Sequence, residues 1–268
     1  MNSVRSHTLS SDPYQPIARY YDAENAEKVA DLPTYTLLAE RFGGPVLEVG
    51  CGTGRVALHL AVEGYDVTGV EPSEPMLAKA REEAKERGLA ERVTWERAAA
   101  DDFAAADGHG LAIMAYATFG HLLEQAEQIA ALRHIARHLR PGGGIAIDIP
   151  NAIHAFRTDD AAGLSIERIF DDPETGESVI QQSYSELDRV EQTVEITWVY
   201  DRVAEDGIVR RTVAPMALRF TFAPEMALLL KRCGFEAMET YGNFSFDPYE
   251  EDSPRMLVVA TRTGEPVE

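Results

Sequence analysis

The sequence predicts a doubly wound α/β sheet carrying an inserted antiparallel β region. Two observations predict it. From Gly44 to Pro150, short apolar runs alternate with amphipathic stretches, the pattern of parallel strands joined by right-handed helical crossovers. After Pro150 the pattern becomes apolar–polar alternation with turn signals, the signature of antiparallel strands.

The elements follow in order. Pro45–Val49 reads as a strand ending at a glycine loop. Arg55–Glu63 reads as a short helix, with Gly64 suited to its C′ position. Asp66–Glu71 is the next strand. Ser73 suits a helix N-cap and Pro75 the first turn, Met76, Ala80 and Ala84 share one face, and Gly88 ends the helix. Glu91–Glu96 and Leu111–Ala115 follow as strands. Glu124–Arg140 is a helix stopped by Pro141-Gly-Gly-Gly144, and Ile145–Ile149 is the fifth strand. Residues 165 to 222 read as a meander, with Val194, Ile196, Trp198 and Tyr200 facing one way and Met216, Leu218, Phe220 and Phe222 repeating the period. Pro224–Cys233 is a helix, and Phe235–Tyr241 and Arg255–Arg262 are the final strands. The expected division is an N-terminal lid region over 1–30, an α/β core over 31–150, an antiparallel cap over 151–222 covering the acceptor site, and a last helix and two strands over 223–268.

Composition narrows the function. The chain has 268 residues, with 25 Lys and Arg against 45 Asp and Glu. A net charge of −20 repels phosphate on average, which disfavours a nucleic-acid partner. Two cysteines, Cys51 and Cys233, make no disulfide framework and suit a reducing compartment. The apolar-rich stretch Leu111–Phe119 is too short to span a bilayer, and Met1–Ser11 lacks the apolar core of a signal peptide. The expectation is a cytoplasmic protein with no membrane partner; a homodimer is left open.

The chemistry concentrates in Glu48-Val-Gly50-Cys51-Gly52-Thr-Gly54-Arg55, between the first strand and the first helix. Glycines let the backbone turn tightly and approach a ligand, and the helix N-terminus offers unpaired N–H groups. The spacing is G-x-G-x-G, with Arg55 where a dinucleotide fingerprint needs its third glycine. Glu48 suits a ligand cation such as an ammonium. Glu71 ends the second strand and can accept two hydrogen bonds from a ribose diol, a feature nicotinamide sites share. His134 and His138 have metal-compatible spacing but no supporting carboxylate motif and lie among arginines near a helix C-terminus, so no metal is assigned.

Val46–Arg55, Val70-Glu-Pro-Ser-Glu-Pro-Met76 and Leu139-Arg-Pro-Gly-Gly-Gly144 together resemble the class I S-adenosylmethionine-dependent methyltransferases. The resemblance implies a Rossmann-like seven-stranded sheet with helices on both faces and the last strand antiparallel. It implies S-adenosylmethionine as cofactor, with Glu48, Gly50, Cys51, Gly52 and Arg55 around its methionine end. Glu71 and Pro72 would lie at the ribose and Met76 near the adenine. The family's adenine-binding Asp aligns with Ala99, so Ala100, Asp101 and Asp102 are the substitutes. Ala115 and Tyr116 would lie beside the methyl donor. Tyr116-Ala-Thr-Phe-Gly-His121 and Ala18-Arg-Tyr20-Tyr21-Asp22 resemble the small-molecule N-methyltransferases of the sugar-nucleotide and glycine or sarcosine type. This implies a small-molecule amine acceptor, with Tyr20 at the cofactor and His121, Tyr21 or Tyr116 orienting the nucleophile or taking its proton. Oxygen methylation is the alternative, then a nicotinamide oxidoreductase or a non-catalytic binding module.

Overall fold

The computed structural model describes residues 12–157 and 163–263. The chain divides into two compact units, Met1–Glu27 with Asp159–Leu218, and Lys28–Thr158 with Arg219–Glu268.

The second unit contains β1 (Val46–Val49), β2 (Val67–Val70), β3 (Val93–Glu96), β4 (His109–Met114), β5 (Leu139–Pro150), β10 (Phe235–Tyr241) and β11 (Arg255–Arg262). They form one sheet in the order β10-β11-β5-β4-β1-β2-β3. The pairs among β1 to β5 are parallel, and β11 runs antiparallel to both β5 and β10. This is the sheet that the motif resemblance implies. Its central strands β1 and β4 are buried on both faces, as a parallel sheet under two helical layers requires. Alternate residues therefore feed two separate cores. Leu47, Val49, Ala112, Met114, Ile145 and Ile147 pack with α5 (Gln125–His138) and α7 (Ala223–Arg232). Val46, Leu111, Ile113 and Ala146 pack with α2 (Leu32–Phe42) and α3 (Arg55–Val62). Strand order reverses between β1 and β4, so crossovers leave that point in opposite directions and a crevice opens at the carboxyl ends of the strands.

The helix α4 (Glu74–Glu86) buries Met76, Leu77, Ala80 and Ala84, the face expected from their spacing. The helix α5 begins with a capping box between Glu124 and Glu127 and ends at His138, two residues before the expected Arg140. From Leu139 the chain already pairs with β4, at His109, before a register shift.

The first unit holds α1 (Ala18–Asn25) and an antiparallel sheet of β6 (Ser165–Asp171), β7 (Ser178–Asp188), β8 (Thr193–Val203) and β9 (Val209–Arg219), in sequence order. Its core joins Ile17 and Tyr20 to Val179, Tyr200, Ala214 and Met216. The alternation in β8 weakens at its end, where Val199, Tyr200 and Asp201 are all buried. The last strand stops at Arg219 rather than at the expected Phe222. Phe222 is instead the N-cap residue of α7, and Phe220 and Phe222 meet Phe156 of α6 (Ala152–Arg157) edge-on at 5.9 and 5.1 Å. Their period-two spacing reflects an aromatic cluster, not a strand. Among the described residues no helix is long and apolar enough to cross a membrane.

Candidate functional site

The glycine loop follows β1. Gly50, Gly52 and Gly54 have φ of 75°, 57° and 85°, the left-handed region that side chains disfavour. Space adds a second constraint. A Cβ on Gly50 would stand 2.2 Å from Thr118 Cγ2, and one on Gly54 2.6 Å from the Trp95 indole. Gly54 then opens α3 as its N-cap residue. Cys51 is buried with its sulfur close to Gly69, and burial pushes its thiol pKa well up, so it behaves as packing.

Two carboxylates frame this loop. Glu71, at the end of β2, accepts the Gly52 N–H at Oε2 and the Ser73 N–H at Oε1, each at 3.0 Å. It thereby fixes the loop after β1 to the loop after β2. Glu48 is 2% exposed, and its Oε2 has no hydrogen-bond partner among the described residues. Burial raises its pKa to about 8; nearby Arg55 and a backbone hydrogen bond from Ala57 oppose the rise. A buried carboxylate with one open oxygen fits a ligand cation, so these residues suit the aminoacyl end of S-adenosylmethionine.

Arg55 is engaged elsewhere. Its guanidinium makes a two-pronged pair with Asp31, both bonds at 2.6 Å, and donates to the Lys28 carbonyl at 2.8 Å. Its side chain thus anchors the segment before α2. Met76 is buried and Pro72 exposed. Asp101 and Asp102 are exposed and Ala100 half-buried, near an isolated bridge between Ala99 and Asp102.

The other wall follows β4. Ala115 is buried, and Tyr116 and Ala117 have φ of 53° and 67°. Successive left-handed non-glycine residues cost of order 1–3 kcal/mol each and are held only where the surroundings demand it. A 3₁₀ turn, Thr118–His121, comes next. Thr118 Oγ1 lies 2.7 Å from the Ala115 carbonyl and 3.4 Å from the Gly50 carbonyl, which ties this turn to the glycine loop. The Tyr116 ring has Lys28 Nζ at 3.8 Å and the Arg255 guanidinium at 5.8 Å from its centroid. Burial lowers the His121 pKa to about 4, so its imidazole is neutral at physiological pH.

Tyr20 and Tyr21 lie on α1, in the other unit. The Tyr20 ring stacks on Tyr200 at 5.1 Å, and Tyr21 meets Tyr14 edge-on at 5.8 Å.

Sequence reasoning missed Asp148, Asp31, Arg255 and Thr118. Asp148 had the plainest signal, a charge inside the apolar run Ile145-Ala-Ile-Asp148-Ile149 of a buried strand. It is fully buried, its Oδ1 lies 3.1 Å from Arg255 Nε, and burial raises its pKa to about 6 against the pull of Arg255.

Residues 46–143 match the model of a methyltransferase domain. The chain is 29% identical over 227 residues to a cypemycin N-terminal methyltransferase of Streptomyces sp, covering 82% of this chain and 84% of that one. It is 36% identical over 125 residues to the glycine N-methyltransferase of Rattus norvegicus, 42% of each chain. Among solved structures, the CcbJ methyltransferase from Streptomyces caelestis superposes with a TM-score of 0.79 at 27% identity, over 94% of this chain and 100% of that one. Glycine loop, strand order and these likenesses agree: residues 46–143 carry a methyltransferase domain, in a chain similar to S-adenosylmethionine-dependent methyltransferases.

Proposed function

We propose that the chain methylates an amine nitrogen of a small-molecule acceptor, with His121 orienting the nucleophile. The observation that carries this reading is the neutral, desolvated His121 on a strained turn at the carboxyl end of β4. When bound, S-adenosylmethionine supplies an electrophilic methyl group on a sulfonium. The protein's task is then alignment and exclusion of water. An amine attacks only through its free lone pair. His121, with a pKa about 4, accepts a hydrogen bond from an N–H of the neutral amine and directs that lone pair; it is too weak a base to store the proton. An attacking hydroxyl would need a stronger base. Tyr116 belongs to the same proposal as a group that shapes or orients the acceptor. The cofactor contacts proposed are those of Glu48, Gly50, Cys51, Gly52 and the Arg55 N–H, with Glu71 and Pro72 at the ribose and Met76, Ala100, Asp101 and Asp102 near the adenine.

Two relatives support a nitrogen acceptor, by their names a cypemycin N-terminal methyltransferase and a glycine N-methyltransferase. The test offers S-adenosylmethionine carrying a carbon-13 methyl group to matched pairs: an amino sugar and its hydroxyl counterpart, glycine and glycolate, a free and an acetylated peptide N-terminus. Label on the amine member alone is expected. Label on the hydroxyl member overturns the reading.

A further inference from the structure

The turn that carries Tyr116 and His121 begins with two left-handed non-glycine residues in succession. Nothing in Tyr116-Ala117-Thr118 favours that backbone intrinsically, so something must hold it. Asp148 does so twice. Its side-chain Oδ2 accepts the Tyr116 N–H at 3.2 Å, and its backbone carbonyl accepts the Ala117 N–H at 2.9 Å. The carboxylate is itself held. Arg255, on antiparallel β11, sets Nε 3.1 Å from Oδ1, while its guanidinium packs over the Phe244 ring at 4.2 Å and reaches the Tyr116 ring. The register explains the meeting: β11 runs against β5 with Arg255 opposite Pro150, two residues beyond Asp148.

We propose that Asp148 is a positioning residue, whose carboxylate and carbonyl hold the left-handed pair that aims the Tyr116–His121 turn, with Arg255 clamping the carboxylate. The link to methyl transfer rests on the functional reading above; the clamp does not. A removed carboxylate leaves the Tyr116 N–H unpaired and the left-handed backbone unsupported. The turn then relaxes toward ordinary φ, and His121 swings with it. The charged and titratable groups facing Asp148 are Arg255 on β11, Arg55 on α3, Asp31 before α2 and Tyr35 on α2. Arg255 and Arg55 favour its ionised form and Asp31 opposes it, as does burial. Ionisation strengthens the bond from Tyr116 N–H, so the turn tightens as pH rises through about 6.

The experiment is amide hydrogen exchange resolved to single residues, together with the pH dependence of the Tyr116 amide nitrogen shift, on the full chain saturated with S-adenosylhomocysteine and without acceptor. Asp148→Ala is expected to speed exchange at Tyr116 and Ala117 about tenfold or more, while Leu111–Met114 stay protected. Asp148→Asn, whose amide oxygen still accepts the Tyr116 N–H, should restore protection to within about threefold. In the wild type the Tyr116 shift titrates near pH 6, in Asp148→Asn it is flat, and in Arg255→Gln its midpoint moves upward. Unchanged exchange at Tyr116 and Ala117, or equal acceleration along β4, overturns the clamp. Should Asp148→Ala fail to fold, the flat Asn titration and the shifted Gln midpoint remain decisive. A loosened turn with wild-type methylation of the amine panel would instead overturn the functional reading and leave the clamp standing.

Discussion

The two units use buried charge in opposite ways. In the antiparallel unit, Asp172, Asp201 and Glu24 are answered by partners of the same unit. Arg19 pairs with Asp172 through two bonds at 2.7 and 2.8 Å, Arg211 pairs with Asp201 at 2.6 and 2.7 Å, and Glu24 accepts from both Tyr200 and Gln181 at 2.8 Å. Accordingly Asp172 and Asp201 titrate below the ordinary range, their arginines outweighing desolvation. At the strand ends of the seven-stranded sheet the shifts run the other way. Glu48 rises to about 8 and Asp148 to about 6, while His121 falls to about 4, each chiefly because burial opposes its charged form. Groups whose charge is answered within the chain stabilise a fold. Glu48, whose Oε2 has no hydrogen-bond partner among the described residues, is the desolvated group left for a ligand to answer.

This contrast breaks most sharply at the glycine loop. Gly52→Val, which forces a branched side chain onto a φ of 57° beside the Glu71 bond, should weaken S-adenosylhomocysteine binding about 100-fold or more in calorimetry. Unchanged affinity would remove the loop from the cofactor site. His121→Ala should lower single-turnover methylation about 10²-fold, with S-adenosylhomocysteine affinity and melting temperature close to wild type. His121→Asn should recover part of that loss, because an amide can still accept a hydrogen bond. A destabilised alanine variant with normal turnover would make this a packing histidine.

Glu71 sharpens the comparison because it is both partnered and proposed to bind. Glu71→Ala should cost about 1.5–3 kcal/mol of S-adenosylhomocysteine binding, the scale of hydrogen bonds to a charged group. Since it also accepts the Gly52 and Ser73 N–H groups, amide hydrogen exchange at those two residues in Glu71→Ala separates the two roles. If loop order dominates, both amides lose protection together with the affinity; if the ribose contact dominates, affinity falls while they stay protected. The smallest expected effect lies in the other unit. Arg19→Ala strips Asp172 of its two-pronged partner and should cost about 1–2 kcal/mol of stability in denaturant titration, without changing cofactor affinity. A loss of affinity there would mean that stability and binding are not divided between the units in this way.

The individual strands and the glycine loop were legible because local sequence encodes them, whereas the seven-stranded sheet with its last strand antiparallel came only with the motif resemblance. Apolar runs of four to six residues make buried parallel strands, and G-x-G-x-G announces backbone that only glycine adopts comfortably. The β10 and β11 bounds were legible to the residue for the same reason. Phe220 and Phe222 misled because aromatic packing on Phe156 mimics a strand's period. What stayed hidden depends on pairings distant in sequence. No local pattern tells that Arg55 is held by Asp31, that Asp148 meets Arg255 across an antiparallel pair, or that Tyr116 and Ala117, neither of them glycine, sit in left-handed backbone. Helix α1 shows the same limit: its packing on strands some 150 residues later in the chain, through Arg19–Asp172 and Tyr20–Tyr200, is a tertiary fact.

The account's central claim is that the desolvated carboxyl of Glu48, at the end of β1, awaits the cofactor, and its protonation tests that most directly. A carboxyl with a pKa about 8 is mostly protonated at pH 7, and a bound ammonium would lower that value, so binding must release protons. The measurement is calorimetric titration of S-adenosylhomocysteine at pH 7 in two buffers of different ionisation enthalpy. The account predicts a release of between about half and one proton per site from the wild type and none from Glu48→Gln, with wild-type affinity rising from pH 6 toward 8. Binding without proton release, with the same affinity for both proteins, would contradict it.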